Sequence, residues 1–427
     1  MRVLVTGARG FIGRQVVAEL ASAGHETVSG VRASSKEAGG QSFVICDFGR
    51  DTDAKSWQSR LERIDAVINC AGILRERGED KFEKVHVETP AALFDACALA
   101  GIQRVIQLSA LGNPDDGEFI ASKYRGDERL MKLDLDWTIL RPSVVYSTRG
   151  SYGGTSLLRA MSALPVALLL PGSGQQVLEP ISAEDLARLV VHLLETGAAK
   201  RRILEVVGPE TVTLENYLQT WRRWLRFPEP IVLRIPDWVV AFAAWAGERF
   251  GNGPLGMTMY RMLRRGNTTQ PRARDELNRI AAWSAKPISQ VLAEQPSFVQ
   301  DRWHARLYFL APLLRFALGI VWITSALVGF ITPQAEIRTL LSNAGVTSGA
   351  VALDYAASSV DLLLGGFLLL GKCITPVGLL MLISLLSYTL FIGTAMPAMW
   401  LEPFGGLLKN LALIPAVLMM MATADRK

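Results

Sequence analysis

Through residue 150 the chain alternates two kinds of pattern. Short runs such as "RVLVTG", "HETVSGVR", "SFVICDF", "DAVINCAG", "RVIQLSA" and "WTILRP" read as strands. Most are apolar throughout, as strands covered on both faces are. Between them lie helical segments, among them "RQVVAELASAG" and "ETPAALFDACALAG", the latter closed by Gly101. This alternation predicts an α/β fold with a doubly wound parallel sheet of Rossmann type over residues 1–150. Residues 151–306 are mixed. "PISAEDLARLVVHLLETG" is an amphipathic helix and "VTLENYLQTWRRWL" another, with Thr213 as its N-cap. They predict a small substrate lobe over the sheet's carboxyl edge and a membrane-proximal connection.

From Leu307 the pattern changes. Leu307–Ile331, Val351–Gly371, Cys373–Ala395 and Phe404–Ala424 are apolar runs of roughly 20 residues, each long enough to cross about 30 Å of hydrocarbon. They predict a four-helix transmembrane domain over 307–427. The flanks "RWHAR", "GK" and "ADRK" are basic, whereas "TPQAEIRTLLSNAGVTS" and "MPAMWLEP" hold a single basic residue between them. The positive-inside rule then predicts a multi-pass protein of the inner, cytoplasmic membrane with both termini and the α/β region in the cytoplasm. Asp354 and Lys409 fall at matching depths of the second and fourth runs and are expected to pair there.

Composition narrows the chemistry. Half the residues are hydrophobic, which fits a chain with the lipid bilayer as a partner. The four cysteines make no CxxC pair and the four histidines are scattered, which argues against structural disulfides and against a metal site. The net charge of +5 accompanies no nucleic-acid-reading module, so no nucleic-acid partner is expected. "WRRWLRFPEPIVLRIPDWVVAFAAWAGERF" interleaves tryptophans with arginines, a composition suited either to lobe packing or to an anionic leaflet.

The first strand runs straight into "TGARGFIG", in which Gly7, Gly10 and Gly13 form a GxxGxxG pattern that opens a helix. Glycines there allow a tight turn, and the helix amino terminus offers N–H groups to a pyrophosphate. Arg9, Phe11 and Ile12 complete that loop. The second strand ends on Arg32 where an NAD site would carry a carboxylate. Arginine suits a 2′-phosphate, so NADP is the expected cofactor and NAD the alternative.

The stretches "TGARGFIG", "CDF", "NCAG", "QLSALG", "FIASKYRGDE", "WTILRPSVVY", "PISAEDLA" and "VVGPETVTL" together resemble the extended, atypical short-chain dehydrogenase/reductases. The nearest branch is that of the Rossmann-type accessory subunit of mitochondrial complex I. The resemblance covers residues 1 to about 302. It implies that Asp47 contacts the adenine with Phe48 beside it, that Ala71 and Gly72 line the cofactor, and that Pro142 and Val145 hold its nicotinamide end. Ser109 takes the catalytic serine position, and Lys123 the position of the catalytic, cofactor-binding lysine. Residues after Leu307, notably "GGLLKN", resemble the DoxX-like membrane family.

The family's tyrosine should stand four residues before Lys123, on the same helix face. Phe119 stands there instead. A phenol beside a lysine supplies the proton that accompanies hydride transfer, and a phenyl ring has none to give. Tyr124, one position beyond Lys123, points about 100° away around the helix. The sequence therefore reads as a membrane-anchored, NAD(P)-binding, oxidoreductase-like protein with a degenerate catalytic site. It would act on or sense a lipophilic small molecule such as a quinone or an isoprenoid. The alternative is a non-catalytic structural or assembly subunit of a membrane redox complex.

Overall fold

In a computed structural model of the protein, residues 1–32, 42–251, 253–282, 284–401 and 406–424 are described. They divide into two compact units, Met1–Ala305 and Arg306–Lys427.

The first unit is built on β1 (Arg2–Thr6), β2 (Glu26–Val31), β3 (Phe43–Ile45), β4 (Ala66–Asn69), β5 (Arg104–Leu108) and β6 (Asp136–Pro142). A seventh strand, Arg202–Val206, pairs with β6. The order across the sheet is Arg202–Val206, β6, β5, β4, β1, β2, β3, and every pairing in it is parallel. Reversal of strand order between β1 and β4 opens a crevice at the carboxyl ends, where nucleotides bind in such sheets. Val3, Val5, Ile68 and Ile106 pack under α1 (Gly13–Ser22) and the helix Ala183–Thr196. Leu4, Val67, Val105 and Ile139 pack on the other face with α2 (Thr89–Leu99). The six runs read as strands are thus strands. The seventh comes from beyond residue 150.

The helices start and stop where their caps stand. Ser182 and Thr213 accept hydrogen bonds from the Asp185 and Asn216 N–H groups at the start of their helices. Gly101, with φ +75°, follows the end of α2. The lobe has its own core, in which Trp221 and Trp224 of the helix Leu214–Trp224 meet at 5.1 Å between ring centroids. The buried Arg159 guanidinium lies 4.6 Å from the Trp221 ring.

The second unit is a membrane domain. Among the described residues three helices, Val299–Ile331, Ala350–Leu369 and Ile374–Ala395, are long and apolar enough to cross a membrane. The fourth apolar helix, Leu407–Ala422, is shorter. Phe404, where its expected span begins, and the basic residues 426 and 427 lie outside the described residues. A Cβ on Gly365 would sit 2.9 Å from the Gly319 carbonyl, so the first two helices approach through small residues, as membrane helices do. The expected pairing of Asp354 with Lys409 is corrected. No ion pair joins them among the described residues, and the buried Oδ2 of Asp354 has no hydrogen-bond partner. Asp361 is the better-satisfied carboxylate: it accepts from Ser325 at 3.3 Å and Ser384 at 3.5 Å, one on each flanking helix.

Candidate functional site

The site is assembled at the carboxyl edge of the sheet. Thr6, Asn69 and Gln107 stand in register at the ends of β1, β4 and β5. The Thr6 hydroxyl donates to Asn69 Oδ1 at 2.5 Å, and Asn69 Nδ2 donates to Gln107 Oε1 at 2.7 Å. The same Asn69 oxygen accepts from the Ala71 N–H at 3.1 Å, turning the chain after β4 toward the glycine loop. All three polar side chains are fully buried, so this chain of bonds fixes the strand tips against one another.

Gly7, with φ +64°, leaves no room for a side chain: a Cβ would lie 2.8 Å from the Ala71 nitrogen. A Cβ on Gly13 would strike the Gly7 carbonyl oxygen at 2.1 Å. Gly10 donates its N–H to that same carbonyl at 2.8 Å, and the Arg14 guanidinium donates to the Arg9 carbonyl at 3.1 Å. The loop therefore closes on itself at the start of α1. The backbone N–H groups of Phe11, Ile12 and Gly13 donate to no acceptor among the described residues. That is a cradle for an anionic group at a helix amino terminus.

Arg32 directly follows β2 and pairs with Asp80 at 3.0 Å. The Asp47 carboxylate accepts from the Gly49 N–H at 2.9 Å and stays half exposed. Phe48 turns its ring into the core, 5.8 Å from Trp57, and its carbonyl accepts from Thr89. Only the backbone of Phe48 is left to face a nucleotide. Pro142 ends β6, and Val145 pairs with Ile181 just beyond it.

Lys123 and Phe119 both lie on α3 (Glu118–Met131). Lys123 Nζ donates to the Ala71 carbonyl at 3.1 Å and to the Leu108 carbonyl at 3.0 Å. An ammonium has three N–H bonds, so one is left over. Burial pushes this lysine down to about 8, against the pull of Asp127 and Cys70. A Cβ on Gly72 would lie 2.8 Å from that ammonium, which brings Ala71, Gly72 and Lys123 to one point.

Sequence reading missed the partners of these groups. Asp127, one turn after Lys123, is fully buried and accepts from the Ser109 hydroxyl at 2.8 Å and from the Arg141 guanidinium at 3.0 Å. Burial raises the Asp127 carboxyl, while Arg141 and Ser109 hold it down. His86 is equally hidden. Its Nε2 accepts from the Ile73 N–H at 3.0 Å, so Nδ1 carries the proton and donates to Ser122 at 2.8 Å. Burial, with Lys123 adding to it, drives His86 down to about 2, and the ring is neutral. Phe119 packs on this imidazole and on Phe82, with centroids 5.8 and 6.4 Å away. Tyr124 is turned elsewhere: its hydroxyl donates to the Gly112 carbonyl and its ring lies under Arg141 at 3.6 Å. The i+4 spacing of Asp127 from Lys123 could have suggested that partner. Nothing in the sequence pointed to His86.

Sheet, crevice and glycine loop give the first unit a Rossmann-type architecture like that of the NAD(P)-binding short-chain dehydrogenase/reductases. Residues 3–206 match the NAD dependent epimerase/dehydratase family, and residues 319–418 match the DoxX-like family. The chain thus joins an epimerase/dehydratase-type domain to a DoxX-like membrane domain.

It is 25% identical over 248 residues to the mitochondrial NADH dehydrogenase (ubiquinone) 1 alpha subcomplex subunit 9 of Arabidopsis thaliana. The match takes in 53% of this chain but only 60% of that protein. It is 26% identical over 250 residues to the photosystem II assembly factor Ycf39 of Guillardia theta, covering 57% of this chain and 76% of the relative. A (4-alkanoyl-5-oxo-2,5-dihydrofuran-3-yl)methyl phosphate reductase of Streptomyces griseus is 28% identical over 239 residues, with 53% and 76% covered. Among solved structures, the UDP-glucose 4-epimerase of Thermus thermophilus in complex with NAD superposes with a TM-score of 0.51. It covers 72% of this chain and 99% of the epimerase at 19% identity, a likeness of fold.

Proposed function

We propose that this protein is a nucleotide-binding structural or assembly subunit of a membrane redox complex, in which bound NAD(P) serves as a fixed ligand of the fold. The observation that carries this reading is the state of the three catalytic positions. Phe119 has no proton and is packed against a neutral histidine. The Ser109 hydroxyl is spent on Asp127, whose charge Arg141 already holds. Lys123 is anchored on two backbone carbonyls. NAD(P), when bound, supplies a hydride, yet the phenol that would deliver the matching proton is replaced by Phe119.

The binding half is better preserved, and the glycine cradle supports its use. The N–H groups of the Gly7–Gly13 loop would hold the pyrophosphate, with Arg9 beside them. Asp47 and the Phe48 backbone would meet the adenine. Ala71, Gly72, Pro142 and Val145 would line the nicotinamide end, where the remaining N–H of Lys123 would reach a ribose hydroxyl. Arg32 favours NADP over NAD. The relatives whose names speak of a subunit of NADH dehydrogenase (ubiquinone) and of a photosystem II assembly factor support the non-catalytic role. The basic flanks of the apolar helices support an inner membrane with the first unit cytoplasmic.

A second reading, reduction of a lipophilic molecule such as a quinone, draws on Ser109 and Lys123 at the family's positions and on the reductase relative. One experiment separates the two. The full-length protein, purified in detergent, is analysed by mass spectrometry for retained nucleotide and then assayed for NADPH oxidation with a panel of quinones and ketones. Retained dinucleotide without turnover is the expected result. Multiple turnovers that Lys123→Met abolishes would establish the reductase.

A further inference from the structure

The arginine–tryptophan segment divides in two. Trp221 and Trp224 are core residues, 2% and 7% exposed, and Arg222 is buried with them, capping the carbonyls of Ser162 and Leu164. The helix Asp237–Phe250 does the opposite. Trp238, Phe242, Trp245 and Phe250 are 74%, 62%, 51% and 75% exposed. The first three recur at i, i+4 and i+7, which places them on one face. Phe242 and Trp245 are stacked at 5.7 Å, and Trp245 meets Phe250 at 6.0 Å, so the stripe is continuous. Ala244 alone of this helix is buried.

We infer that the helix Asp237–Phe250 is a membrane-surface helix, lying on an anionic leaflet with its aromatic stripe in the headgroup region. An exposed aromatic face of this size marks an interaction surface. Its composition selects the partner. Tryptophan and phenylalanine with neighbouring arginine are what an interfacial helix carries, because amphipathic rings settle at headgroup depth and cations meet anionic lipid. The helix itself carries Asp237 and Glu248 against Arg249, which lies over the Phe250 ring at 5.6 Å. The cations therefore come from its flanks, with the exposed Arg234 before it and Arg264 on the helix Met257–Arg265 after it. A bilayer is also the partner this chain always has, since its membrane domain follows in the same polypeptide. Phe298 and Trp303, where the first long helix begins, are 62% and 63% exposed as well.

The helix is tied to the cofactor end of the sheet. Arg75, in the loop that follows Gly72, donates from Nη1 to the carbonyls of Gly247 and Gly251, both at 2.9 Å, and from Nη2 to that of Leu255. A lipid contact made by this helix therefore acts on the same loop that lines the crevice. The inference stands apart from the nucleotide reading and does not need turnover.

The test uses the full chain with Cys373→Ser, in nanodiscs containing phosphatidylglycerol. A spin label is placed on Phe242→Cys or, as a water-exposed control, on Ser22→Cys. Accessibility to oxygen relative to a water-soluble nickel complex should be roughly threefold or more higher at 242 than at 22, as for a side chain immersed in the interface. Trp238→Ser with Trp245→Ser removes only exposed rings and should bring the 242 label back to the control ratio. Replacing phosphatidylglycerol by phosphatidylcholine should lower the ratio at 242. Equal ratios at 242 and 22 overturn the inference, and so does a 242 label shielded from both reagents, which would mean a protein partner or a second copy. An unchanged ratio in phosphatidylcholine overturns the anionic preference.

Discussion

Phe119 stands nearly edge-on to the His86 imidazole, with 5.8 Å between ring centres and planes 72° apart. The position from which a phenol would deliver a proton is thus part of an aromatic cluster with Phe82 and His86. Phe119→Tyr adds one oxygen to a half-buried ring and should be tolerated. A lone missing proton-transfer group would return roughly 10²–10⁴ in rate on repair. We expect no such gain, because Ser109 and Lys123 remain committed to Asp127 and to backbone carbonyls. The check is NADPH oxidation by the variant with nucleotide binding measured alongside. A rise of that size would return the protein to the reductases.

His86 makes the first unit acid-sensitive. Its pKa is lowered in the folded state to about 2 from 6.5, so below pH 6.5 the unfolded chain binds a proton that the folded chain does not. Stability from this group is complete above pH 6.5 and declines as pH falls, by up to about 1.4 kcal/mol per pH unit. His86→Gln can still donate to Ser122 and accept from Ile73, but it does not titrate. The difference in thermal midpoint between wild type and His86→Gln should therefore shift in favour of the variant as pH falls from 7 to 5. A difference independent of pH would show that His86 is charged or solvated.

Gly13→Ala tests the cradle. The new methyl would overlap the Gly7 carbonyl oxygen, a backbone atom that cannot step aside alone. Dinucleotide affinity should fall by at least about tenfold, equivalent to about 1.4 kcal/mol, while circular dichroism stays that of the wild type. Calorimetric titration with NADPH and NADH gives the answer directly.

Arg32→Ala tests the proposed preference for NADP. Arg32→Ala should weaken NADPH binding by about one to two orders of magnitude and leave NADH nearly unchanged, the loss expected for a charge-assisted bond. Asp80→Asn, which weakens the competing ion pair, should move NADPH affinity modestly the other way. Equal losses for both nucleotides on Arg32→Ala would remove the 2′-phosphate assignment.

Six strands could be read because each is a short apolar run between polar breaks, the pattern that burial on both faces imposes. Arg202–Val206 was missed because Glu205 interrupts its short apolar run and a lobe segment separates it from the regular strand–helix alternation. Phe119 was conspicuous because its spacing from Lys123 is fixed by one helical turn. His86 was illegible: its partners come from the turn after β4 and from α3, which only the fold brings together. The arginine–tryptophan segment shows the same limit. Composition cannot tell Trp221 from Trp238, because which helix face meets a core is decided by neighbours far along the chain.

The position of Arg202–Val206 bears on how the protein is made. This strand reaches β6 only after residues 143–201 have folded back, so the sheet is finished when Val206 is in place. Multidomain chains generally fold from the amino terminus as they are synthesised. Every strand of the sheet is thus synthesised before the first long apolar helix, Val299–Ile331. A chain whose sheet fails to close still carries its apolar helices forward and becomes a misfolded unit fixed to the bilayer.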